Sequence, residues 1–172
     1  LCCGEDLGMV PECVPEVMHE LQILSLEIQR MPKDPTVKFA HAADAPYLSV
    51  CTTGTHDTSP LRSWWEEDRA VTQRFYNEQM GWWGEAPHEM TPEIAEFIVN
   101  QHMYSPAMWV ILPLQDWFAI DGEVRLPDAH GERINVPSNP RHFWNYRMHL
   151  TIEDLLQKDA FNEHVRHLIN NR

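Results

Sequence analysis

The chain has 172 residues, 43% of them hydrophobic and 23% charged, which suffices for one substantial core and for one domain or part of one. Thirteen basic residues against 26 acidic ones give a formal net charge of −13, and such a surface repels nucleic-acid phosphates instead of releasing their counterions. No apolar run approaches the roughly 18 residues of a membrane helix, and no signal peptide is readable from Leu1, so the expectation is a cytoplasmic protein without membrane or nucleic-acid partners.

Taken in chain order, Leu1–Cys3 reads as the end of a buried strand, closed by the carboxylates of the stretch GEDLG at 4–8. Val14–Leu21 reads as a helix with Pro15 and Glu16 in its first turn. Ile23–Ile28 (ILSLEI) and Tyr47–Thr53 (YLSVCTT) are the next two apolar runs of strand length. A single long helix is predicted over Ser59–Met80, with Ser59 as N-cap and Pro60 at its first position. Pro92–His102 is a helix opened by Thr91, and Ala107–Leu112 (AMWVIL) is a fourth strand, followed by a short helix at Trp117–Ile120. Helices over Ile152–Gln157 and Ala160–Ile169 close the chain, with Thr151 as N-cap and Glu153 and Asp154 at the positive end of the dipole. Strands separated by helices predict β-α units and a parallel sheet. The Pro-rich segments 81–87 and 127–140 read as ordered loops in which Trp82, Trp83, Phe143 and Trp144 are expected to be buried, and no linker divides residues 1–172.

Each apolar run ends in groups able to do chemistry: Glu5-Asp6, Gln29-Arg30, His56-Asp57 and Gln115-Asp116. In parallel α/β sheets and barrels, ligands bind outside the carboxyl ends of the strands, so the four tips are read as one shared site. Gln115-Asp116 either lines that site or caps the helix that follows it. The four cysteines match no zinc framework and are expected to be reduced and mostly buried. Among ten histidines, His164 and His167 stand i, i+3 on the last helix, but without a carboxylate or thiolate at motif spacing they read as a solvated face; no metal is expected.

Carboxylates brought together from different strands point to general acid/base chemistry, with glycoside cleavage the leading case. Seven tryptophans suit stacking against the apolar faces of sugars, although Trp65 and Trp109, on a helix and a strand, are expected to belong to the core. On residue types alone, Asp57 would be the nucleophile of a two-carboxylate mechanism.

The stretches GEDLG (4–8), SLEIQRMP (25–32), TGTHDTSPLRSWWEEDR (53–69), QHMYSPAMWVILPLQD (101–116) and ERINVPSNPRHFWNYRMH (132–149) resemble, in order and across essentially the whole chain, the 4-α-glucanotransferases (amylomaltases or disproportionating enzymes) of the α-amylase clan. The resemblance implies an α/β fold, the C-terminal part of a (β/α)₈ TIM barrel. It also implies a retaining double displacement that moves α-1,4-glucan segments between malto-oligosaccharides or glycans, with no cofactor. It assigns Glu5 as general acid/base and Asp57 as the carboxylate that steadies the transition state, so that Asp57 is not the nucleophile. It makes His56 a sugar-binding residue and leaves Asp6 to shape the substrate subsites. A proton donor needs its pKa raised by burial or by neighbouring carboxylates, whereas Asp57 must stay ionised and needs donors such as His56 or backbone N–H groups.

The family's nucleophile lies in an arginine- and aspartate-containing motif upstream of GEDLG, and nothing here matches it. A full barrel takes roughly 250 residues. The expectation is therefore a fragment that is inactive when isolated, with the oligomeric state open. A carbohydrate-binding or structural module without catalysis, and a hydrolase of the same clan, are the alternatives. Asn135-Val136-Pro137 with Arg141 to Tyr146 either binds glucan or packs the last loop over the barrel, and packing is favoured.

Overall fold

The computed structural model describes residues 1–172. Helix α1 (Val14–Glu20) carries Pro at its start and Glu16 in its first turn, and leads into strand β1 (Ser25–Ile28). A 3₁₀ turn at Ala42–Asp44 precedes strand β2 (Ser49–Thr52). Helices α2 (Leu61–Glu67), α3 (Arg69–Glu78) and α4 (Pro92–Met103) separate β2 from strand β3 (Trp109–Val110). Helix α5 (Leu114–Phe118), a 3₁₀ turn at Ala129–Glu132, and helices α6 (Ile152–Leu156) and α7 (Asp159–Asn170) complete the chain.

The strands pair in parallel in the order β1-β2-β3, with Leu26 beside Val50 and Cys51 beside Val110. Cys3 bridges Leu24 in parallel, and the Leu24 N–H donates to the Cys2 carbonyl at 2.8 Å, so the first apolar run prolongs the sheet on the free side of β1. All four predicted runs thus lie side by side in chain order and point the same way, as β-α units require. One sheet face is covered by small residues: Cys51 packs with Ala42, Ala45 and Ala107. The larger core gathers around α4, whose Ile94, Ala95, Ile98 and Val99 fall on one helical stripe and meet Leu61, Trp65, Phe75, Phe118 and Phe161. The rings of Phe39 and Trp64 meet Phe75 edge-on, at centroid distances of 5.0 and 5.3 Å.

Several expectations are corrected. The helix predicted over Ser59–Met80 is two, broken at Asp68, which sits at φ −142° and ψ 105° and accepts hydrogen bonds from the N–H groups of Ala70 and Val71. An N-cap inside an apolar-periodic run stops one helix and starts another. Ser59 does not cap α2: Pro60 holds that position, and the Ser59 hydroxyl is turned towards Glu67. The short helix after β3 begins at Leu114, ahead of the expected Trp117. Thr91 and Thr151 do cap α4 and α6, the latter in a reciprocal capping box with Asp154. All four cysteines are free, but Cys2, Cys3 and Cys13 are exposed and only Cys51 is buried, because the first strand has a neighbour on one side only and Cys13 lies in the turn before α1. Trp82 is packed against Tyr76 and Phe97, whereas Trp83, Phe143 and Trp144 are exposed at 89%, 79% and 59%. Trp65 is core as expected, but Trp109 is half exposed on the short edge strand. His164 pairs with Glu96 at 3.1 Å and His167 with Asn171, so each faces a partner of its own. No helix is long and apolar enough to cross a membrane.

Candidate active site

The loop after β2 carries Gly54-Thr55-His56-Asp57, and its shape is set from below. Arg30, at the carboxyl end of β1, donates from Nε to the Thr53 carbonyl at 2.8 Å and from Nη2 to Thr58 Oγ1 at 3.2 Å and to the Ser59 carbonyl. Its guanidinium also lies 5.4 Å from the centre of the Trp64 ring. Burial pulls the Arg30 pKa down to about 10, opposed by the negative charges of Asp116 and Glu67. Thr58 Oγ1 in turn accepts from the Thr55 N–H at 2.9 Å and donates to the Thr55 carbonyl at 3.0 Å, closing the turn that presents His56 and Asp57.

The polar strand tips divide into two kinds. Gln29 is buried and bonded to Gln101, and Gln115 donates to the Glu132 carbonyl at 3.1 Å. Asp116 is 1% exposed; its Oδ1 accepts from the Leu61 N–H at 2.8 Å and its Oδ2 from Thr53 Oγ1 at 2.5 Å. Burial raises its pKa, opposed by those two hydrogen bonds and by Arg30. Asp116 therefore neither lines the site nor caps α5: it caps the start of α2 from across the fold and ties it to β2. Gln29 and Asp116 are buried scaffold, whereas Arg30 and Gln115 also line the cavity beside His56; the reading of all four tips as one surface is corrected for Gln29 and Asp116, and Glu5 and His56-Asp57 are the open groups.

At the second tip, His56 Nε2 lies 3.4 Å from Asp57 Oδ2, and Asn135 Nδ2 donates to Asp57 Oδ1 at 2.6 Å. Both carboxylate oxygens thus face a nitrogen, which holds the Asp57 side chain in place from two sides. The exposed Trp144 ring stands 4.8 Å from the His56 ring, tilted by 44°. Sequence reasoning left the segments of Asn135 and Trp144 between glucan binding and packing, with packing favoured; the structure turns both residues towards His56-Asp57. The available signal was the unbroken ERINVP stretch beside an aromatic cluster.

At the first tip, Asp6 is nearly buried, with Oδ1 accepting from the Leu26 N–H at 2.9 Å and Oδ2 paired to Lys33 Nζ at 2.6 Å. Lys33 also reaches Glu27 at 2.6 Å, so the pair clamps the GEDLG loop onto β1. Glu5 is exposed, and the cover that a proton donor needs is not supplied by residues of this chain. The two tips belong to strand positions two steps apart in the sheet, about 10 Å across. No hydrogen bond joins Glu5 to Asp57, while a cavity of about 500 Å³ on the intervening face is lined by Cys3, Leu26, Thr52, His56, Ile111 and Ile134.

A parallel sheet with helices packed outside it, and carboxylates at the carboxyl ends of its strands, is part of a (β/α)₈ barrel of the enzyme type. The chain belongs to glycoside hydrolase family 77, 4-alpha-glucanotransferase, whose profile matches residues 1–152. It is 44% identical over 169 residues to the 4-alpha-glucanotransferase DPE2 of Oryza sativa subsp. japonica, covering 98% of this chain and 18% of the rice protein. It is 29% identical over 170 residues to the 4-alpha-glucanotransferase of Chlamydia caviae, covering 94% of this chain and 31% of that protein. The fold matches the amylomaltase from Streptococcus agalactiae in complex with acarbose, with a TM-score of 0.68 at 17% identity over 98% of this chain and 31% of that one. The amylomaltase from Corynebacterium glutamicum matches with the same TM-score at 15% identity, over 98% of this chain and 28% of that one. The chain thus spans between about a fifth and a third of the length of these relatives.

Proposed function

We propose that this chain supplies the acid/base and the stabilising carboxylate of a 4-alpha-glucanotransferase that moves α-1,4-glucan segments between malto-oligosaccharides or glycans, acting in the cytoplasm. The observation that carries this reading is the 44% identity to the rice enzyme over nearly the whole chain. Residues 1–172 form one contiguous stretch of the barrel, and the nucleophile comes from elsewhere in the full-length protein.

In this reading Glu5 protonates the glycosidic oxygen as the nucleophile attacks the anomeric carbon, so the C–O bond breaks and a glycosyl-enzyme forms. Glu5, now a carboxylate, then takes the proton of an acceptor sugar hydroxyl as that oxygen displaces the enzyme, restoring both groups. Asp57, held by His56 and Asn135, binds sugar hydroxyls and offsets the positive charge that develops on the ring. Asp6 keeps the Glu5 loop in register with β1 and so shapes the subsites. The exposed Trp144 offers a flat apolar face beside His56. No metal or organic group enters these steps.

Maltotriose incubated with the full-length protein tests the reading. Disproportionation yields glucose and longer oligomers with no net gain of reducing ends, and Glu5→Gln and Asp57→Asn each lower the rate by roughly 10²–10⁴-fold. A net gain of reducing ends identifies a hydrolase instead, and no turnover by the full-length wild-type protein sinks the reading.

A further inference from the structure

Arg62 and Glu132 form an ion pair at 2.6 Å with side chains only 7% and 2% exposed, and no step described above uses it. Arg62 stands in the first turn of α2 and also donates to the carbonyls of Leu126 at 2.5 Å and Pro127 at 3.2 Å. One guanidinium therefore grips the segment leading into Glu132 at three places. As a stabilising device the pair is poorly built. Glu132 Oε2 is buried without a hydrogen-bond partner. A buried ion pair of this kind is often replaced by apolar residues at no loss of stability.

What the pair does is place a backbone. Gln115 holds the Glu132 carbonyl, and Arg133 continues the fastening by reaching Ser59, Glu67 and the Asn135 carbonyl. Three residues beyond Glu132, at most about 10 Å of chain, Asn135 delivers its amide to Asp57 at 2.6 Å. Over so short a tether, a shift of Glu132 by an ångström carries Asn135 with it.

We propose that the Arg62–Glu132 pair is a positioning element that seats Asn135 against Asp57. Its activity readout rests on the transferase reading above. The charges that face Glu132 come from every side: Arg62 on α2, Asp116 on α5 and Arg125 in the following turn, with Tyr146 also close by. Burial raises the Glu132 pKa to about 7, opposed by Arg62, so the pair discharges as pH falls below neutrality.

The experiment uses the full-length protein with Glu132→Gln, and with the double variant Arg62→Met/Glu132→Leu, which removes the pair without stranding a charge. Both are expected to lower kcat for maltotriose disproportionation by about 10–100-fold, with KM little moved, and Glu132→Gln to lose an acid limb of kcat centred near neutrality. Hydrogen exchange of the 133–136 amides should quicken in both, with α4 unaffected. A folded double variant with wild-type kcat, or Glu132→Gln with an unchanged pH profile, overturns the proposal, as does unchanged exchange at 133–136. A full-length protein with no transfer activity removes the function reading alone, since the exchange measurement still decides this one.

Discussion

At Gly54 the backbone passes directly beneath the Arg30 guanidinium, and a Cβ there would collide with that group and lie 2.6 Å from Thr58 Oγ1. The guanidinium is the far end of a long side chain, but its hydrogen bonds to Thr53, Thr58 and Ser59 leave it no room to swing. Gly54→Ala is therefore expected to destabilise the protein by roughly 1–3 kcal/mol, read as a lowered melting temperature, and to weaken turnover through the displaced Asp57. A normal melting temperature would show that Arg30 yields freely. Glu5, Asp6, His56 and Asp57 could be singled out as candidates in sequence, because each sits in a short stretch ending an apolar run. The partner of Asp57 was not: Asn135 lies 78 residues away, and no local pattern relates them.

Among the elements, α2 is fastened by a residue that belongs to another helix. Asp116→Ala would orphan the Leu61 N–H and the Thr53 hydroxyl at once, at roughly 1–3 kcal/mol for each buried donor. Denaturant unfolding should show a lowered midpoint, with Asp116→Asn milder because one acceptor oxygen remains; equal stability of Asp116→Ala and the parent would contradict the assigned cap. The local caps at Thr91 and Thr151 were readable because a cap acts within three residues of itself. The break at Asp68 was written in the same chemistry, yet it reads as one more charge on a continuing amphipathic helix until the chain is seen to turn there. Apolar runs identified the strands, but β3 proved only two residues long, since pairing with β2 ends where Pro113 and α5 begin.

For the molecule as a whole, two buried groups of opposite sign shape the pH response. His102 is 1% exposed, with Nδ1 bonded to the Ile98 carbonyl, and burial lowers its pKa from 6.5 to about 4. The unfolded chain takes up that proton first, so stability present above about 6.5 is lost as pH falls through 4, on the order of 3 kcal/mol in all. Glu132 runs the other way: its folded pKa of about 7 exceeds the ordinary 4.5, so its contribution is full below 4.5 and fades as pH rises through 7. From neutrality down to about pH 4 the two contributions oppose and nearly cancel, so the melting temperature of the parent should change little while that of His102→Gln rises on acidification; parallel profiles would show that His102 is not the group responsible.

Sequence alone determined the alternation of strands and helices, the parallel sheet, the carboxylates at two strand tips and the family, because periodicity, caps and short motifs act over a few neighbouring residues. The tertiary structure alone decided which tips stay open: it buried Gln29 and Asp116 as scaffold, left Glu5 exposed, and brought Asn135 and Trp144 to His56-Asp57. Most of those outcomes depend on contacts between residues more than 50 positions apart, and such contacts exist only once the parallel register of the sheet has set which strand ends are neighbours.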